Sequence, residues 1–104
     1  MTSFELPEQI RKSLYEDLAD RPGATVRRGT SKADGIVFTI RIVGGMRYTL
    51  EIQASALLQA ENQGIGGLIE ELRHREWVAM IRAQGCLFVT LGTTNKYVVG
   101  SCRE

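Results

Sequence analysis

The chain lacks most features from which a reaction is read. Its 104 residues hold one histidine and two cysteines, too few for a disulfide framework or a zinc set. A formal net charge of +1 makes no broad electrostatic footprint and disfavours a strongly basic nucleic-acid binder. No apolar run approaches the roughly 18 residues needed to span a bilayer. The opening Met-Thr-Ser-Phe-Glu has neither the basic region nor the apolar core of a signal peptide. These absences lead to the expectation of a cytoplasmic chain with free thiols at Cys86 and Cys102, no membrane partner, no metal and no cofactor. Internal repeats and low-complexity stretches are absent too.

What is present is an ordinary globular composition, 43% apolar and 24% charged. At this length the whole chain, 1–104, reads as a single small α+β domain with one core. Its organising stretch is Ile36 to Ala54, where apolar and polar residues alternate on both sides of Gly44-Gly45. That period of two marks antiparallel strands with one buried face. A two-residue turn would set Ile42 against Arg47. An odd-numbered loop, Val43-Gly44-Gly45, instead pairs Ile42 with Met46, Ile40 with Tyr48, Phe38 with Leu50 and Ile36 with Ile52. The opposite face then carries Arg41 against Arg47, Thr39 against Thr49 and Val37 against Glu51. Two directly opposed arginines are unfavourable unless an acid or a bound anion lies close.

Other elements follow from spacing. Pro7 and the Ile10, Leu14, Leu18 stripe predict a helix over 7–20, entered past Phe4 and Leu6, with Lys12, Glu16 and Asp17 towards water. A short strand over 24–30 returns through 31–35 to complete a three-stranded antiparallel meander. Its edge would be guarded by Arg27, Arg28 and Lys32. Ser55 is the expected N-cap of a short helix over 56–62, with Leu57 and Leu58 inward.

Residues 67–84 read as the main helix. Its apolar stripe shifts in the second half, so either it breaks near Arg73-His74-Arg75-Glu76 or it is covered on two sides. Cys86–Leu91 and Lys96–Cys102 form a C-terminal β-hairpin that sets Leu91 against Tyr97, Val89 against Val99, Phe88 over Gly100 and Cys86 against Cys102. Helices are expected on one face of the sheet.

No catalytic set emerges. His74 lies within helical reach of Glu70, Glu71 and Arg75, which a surface salt bridge explains. Gly64-Ile65-Gly66-Gly67 follows a helix rather than a strand and lacks the Lys-Ser/Thr of a phosphate loop, so it reads as a hinge.

The order helix, three strands, helical segment, two strands is similar to that of the type III secretion chaperones. The resemblance lies in element order, not in motif, and implies a small dimer that holds unfolded segments of a partner protein. Those chaperones are more acidic than this chain and carry a final helix that this sequence does not show.

Two readings of function follow. The first is a non-enzymatic protein-interaction module, an adaptor or chaperone-like domain. It would associate with itself as a homodimer, or with a protein partner, through Trp77, Val78 and Ile81 or through a sheet edge. The second is nucleic-acid or phosphate-ligand binding through Arg27, Arg28, Arg41 and Arg47 on the outer sheet face. Strand parity admits Arg27 or Arg28 beside Arg41 and Arg47, but not both. A small-molecule pocket at Met46, Tyr48 and Met80 would also be compatible with the pattern.

Overall fold

The computed structural model describes residues 5–29, 35–42 and 46–102. It is an α+β domain built on one five-stranded sheet in the order β1-β2-β3-β4-β5. The elements are α1 (Glu5–Glu16), β1 (Thr25–Arg28), β2 (Ile36–Arg41), β3 (Arg47–Ile52), α2 (Ala54–Gln63), α3 (Gly66–His74), α4 (Trp77–Gln84), β4 (Cys86–Leu91) and β5 (Tyr97–Ser101). The meander and the C-terminal hairpin form as antiparallel units. They do not stay separate: β3 and β4 pair in parallel, making the sheet mixed. A parallel pair needs a long crossover, and α2, α3 and α4 provide it.

The β2–β3 register sets Ile36 against Ile52, Phe38 against Leu50, Ile40 against Tyr48 and Arg41 against Arg47. The first three pairs are buried, so alternation did define the core face. The Val43-Gly44-Gly45 turn and the 31–34 loop with Lys32 lie outside the described residues, as does Phe4. Met46 departs from the expectation. Although it follows the buried parity, it is 62% exposed, whereas Ile42, its expected partner beyond the last ladder pair, is buried. Gly35 is held by close approach: a Cβ there would overlap the Ile52 carbonyl oxygen.

Each of the four helices among the described residues contributes to the inner face. Ile10, Leu14 and Leu18 are buried at four-residue spacing, and α1 packs beside β1. Its helical geometry ends at Glu16, earlier than expected, and residues 17–20 continue as turns. In α2 the inward residues are Ala56 and Ala60. This i, i+4 pair brings the helix close to β4 and swings Leu58 outward to 57% exposure, while Leu57 packs at the core margin. Ser55 is not the cap. Gln53 occupies that position with no side-chain capping bond, and its Oε1 instead accepts from the Ser55 hydroxyl at 3.3 Å.

The long helix breaks where the stripe shifts. Glu76 adopts a left-handed conformation (φ 54°) between α3 and α4. The break resets the helical phase, so Leu68, Ile69 and Leu72 of α3 and Trp77 and Ile81 of α4 all reach one core.

Cys86 and Cys102 are joined by a disulfide, with their Cα atoms 5.4 Å apart. This corrects the expectation of free thiols. The strand register places the two residues directly opposite, within the separation a disulfide spans. The bridge ties the end of β5 to the start of β4, where Cys102 N–H also donates to the Cys86 carbonyl (3.2 Å).

Candidate functional site: an arginine corner on the open sheet face

The first expected interface disappears into the core. Trp77 is 1% exposed, Ile81 is fully buried and Val78 packs at the core margin. Trp77 Nε1–H donates to Asp17 Oδ2 at 2.8 Å, and Arg73 Nε donates to Asp17 Oδ1 at 2.9 Å. The exposed apolar patch expected at Trp77, Val78 and Ile81 is therefore absent, because the break at Glu76 turns the tryptophan inward. Asp17, expected to face water, is the acceptor that joins the C-terminal end of α1 to α3 and α4. Both of its partners lie far away in sequence, so no local spacing could reveal the contact.

The outer sheet face has a different chemistry. Alternation along β1, β2 and β3 brings Thr25, Arg27, Thr39, Arg41, Arg47 and Thr49 to it. The pairs run Thr25–Arg41–Arg47 in one row and Arg27–Thr39–Thr49 in the next. Gly29 N–H donates to the Val37 carbonyl, so the odd-numbered residues of β2 bond to β1. Arg41 and Arg47 therefore form a non-hydrogen-bonded pair of the β2–β3 ladder, the kind in which opposed side chains lie closest. Arg27 is the diagonal neighbour of Arg41.

A depression of about 570 Å3 opens here, lined by Gly23, Thr25, Arg27, Arg28, Thr39, Arg41 and Arg47. Among the described residues its lining contains no acidic one. Glu51, on the same face of β3, is four residues from Arg47, about 13 Å along the strand. Among the described residues, Arg27, Arg41 and Arg47 make no side-chain hydrogen bond or ion pair.

Arg28 borders the depression but has the other parity, opposite Phe38. On the helix side, the Arg11 hydrogen bond holds the Glu8 carboxyl below its ordinary range, and the charge of Arg28 adds a smaller effect. The sequence expectation that only one of Arg27 and Arg28 could join Arg41 and Arg47 resolves in favour of Arg27.

Other candidates do not assemble. His74 is exposed, and Glu71 pairs with Arg75 instead (2.8 Å). Among the described residues, no three His, Cys, Asp or Glu side chains are grouped to hold a metal. No helix among them is long and apolar enough to cross a membrane. Gly64 and Gly66 mark the junction of α2 and α3 rather than a phosphate loop. Met46 is exposed and Met80 lies at the core margin, so they do not enclose a ligand cavity with Tyr48.

No protein-family model matches the chain, and comparison with curated proteins and with solved structures finds no match.

Proposed function

We propose that this domain is a non-enzymatic binding module that holds a compact phosphate-bearing ligand on the arginine corner. One observation carries the reading: among the described residues, Arg27, Arg41 and Arg47 share a depression with no acidic lining residue and have no side-chain partner. Like charges directly opposed across a ladder are destabilising. An anion between them removes that cost, and guanidinium forks match phosphate oxygens in paired hydrogen bonds. The hydroxyls of Thr25 and Thr39 add neutral donors at the rim. The localisation reading changes as well: the Cys86–Cys102 bridge suits an oxidising compartment better than the reducing cytoplasm.

The test is a titration with inorganic phosphate and pyrophosphate at low ionic strength, followed through the Arg Nε–H resonances. Shifts confined to Arg27, Arg41 and Arg47, lost in an Arg41→Gln/Arg47→Gln variant, are the expected result. A single-stranded oligonucleotide serves as comparison. Three guanidiniums release few counterions, so its log affinity should fall with log salt at a slope no steeper than about −2 to −3. A steeper slope would mean a longer nucleic-acid track than this corner. No binding of phosphate, pyrophosphate or oligonucleotide would sink the proposal.

A further inference from the structure

The sheet has a second surface that the anion reading leaves unused, the free edge of β5. β5 is last in the strand order and, among the described residues, pairs only with β4. Cys102 N–H donates to the Cys86 carbonyl and Gly92 N–H to the Lys96 carbonyl. Alternation between these points turns the backbone groups of Val98 and Gly100 towards β4, and those of Tyr97, Val99 and Ser101 away from it. The edge sequence Tyr-Val-Val-Gly-Ser carries no charge and no proline. It therefore lacks two of the devices, charge and proline, that keep one edge from pairing with another, although the strand is short and α3 packs on its inner face.

We infer that β5 pairs with β5 of a second copy of this chain, antiparallel about a two-fold axis at Val99, joining two five-stranded sheets into one of ten. The strand is complementary to itself in that register. Val99 meets Val99 of the other copy, Tyr97 meets Ser101, and Val98 meets Gly100. Each pair keeps to one face, as opposed residues must. The three outward residues fall in hydrogen-bonded positions, so each copy's Tyr97, Val99 and Ser101 both donate and accept, giving six bonds across the axis.

The outer-face fit is large against small. Val98 is 47% exposed, and a Cβ placed on Gly100 would meet nothing within 4 Å. Val98 of one copy therefore covers the gap at Gly100 of the other, whose inner neighbour in the same row is Phe88. The disulfide at the end of β5 fixes that end before association, which lowers the ordering cost of strand addition. A strand of unrelated sequence would not supply this reciprocal match, and an isologous contact is the usual form of a homodimer.

The experiment measures solution mass and amide exchange of the full chain, disulfide intact, over about 1 μM to about 1 mM. The expected mass at the upper end is twice 11.6 kDa. The amides of Tyr97, Val99 and Ser101 should gain protection as concentration rises, and those of β1 should not. Val98→Lys should weaken the dimer at least about tenfold by placing charge on the edge. Ser101→Pro tests the same edge separately, since it removes a donor used only across the axis; native circular dichroism of either variant establishes that it folds. A monomer throughout would overturn the inference and leave the edge to some other chain's strand. A dimer indifferent to both folded variants, or one that leaves the three amides unprotected, would overturn it as well.

Discussion

The two edges of the sheet are built on opposite rules. At β1 the strand is only four residues long, carries Arg27 and Arg28, and has α1 packed beside it. Arg11 Nη1 reaches the outward Val26 carbonyl at 3.5 Å, long for a hydrogen bond but aimed at a group another strand would use. At β5 there is no charge, and a disulfide joins the strand to its inner neighbour without covering its outer side. Short length, charge and a covering side chain are common defences of an edge. Charge and the Arg11 contact stand at β1 and not within β5, whereas the two strands differ by only one residue in length and each has a helix packed against it.

The sharpest way to break this contrast is to remove the bridge. Cys86→Ser/Cys102→Ser opens a loop of 16 residues in sequence separation, for which chain-entropy arguments give a loss of about 3 kcal/mol. Urea denaturation should record that loss, and amide exchange should rise in β5 while β1 stays protected. Equal loosening of both edges would show that the bridge supports the whole sheet rather than β5.

On the other side, Asp17→Ala leaves the Trp77 indole N–H without its acceptor and frees Arg73. A buried donor left unpaired costs about 1–3 kcal/mol. The loss should appear in thermal unfolding, with α1 and then β1 exchanging faster than β5.

The smallest effect concerns pH. Burial raises the Tyr97 phenol above its ordinary value. The folded chain therefore holds that proton more tightly than the unfolded one, and stability falls as pH rises from the unfolded value through the folded one. Alkaline titration above about pH 10 should loosen β5 first, and Tyr97→Phe should remove that part of the dependence.

Much of the hairpin and core was legible because period-two alternation has only two possible phases. Putting Phe38, Ile40 and Leu50 inside forced Arg41 and Arg47 together outside. The helix break was legible only as a choice, since the displaced stripe at Trp77 fits either a second cover or a new phase. Glu76 decides it through a backbone conformation that non-glycine residues rarely adopt. The parallel β3–β4 pair was not readable, because strand order depends on how the crossover lies and not on either strand's own pattern. Leu58 and Met46 misled for a related reason. Apolar character marks what can be buried, but in α2 the alanine contact decided what was, and beyond the β2–β3 ladder Ile42 is buried while Met46 is not. The disulfide was within reach, since the hairpin register already opposed Cys86 to Cys102. The corner at Arg27 needed the β1–β2 register, which a four-residue strand does not announce.

Trp77 is the chain's single tryptophan, and its indole is enclosed where α1, α3 and α4 meet through Asp17. The protein thus carries its own optical gauge of helix docking. Emission from this one ring should shift to longer wavelength when α1 lifts away and water reaches the indole. Pairing at β5 or anion binding at the arginine corner should leave it nearly unchanged, so one fluorescence trace separates loss of the helical layer from events on the sheet.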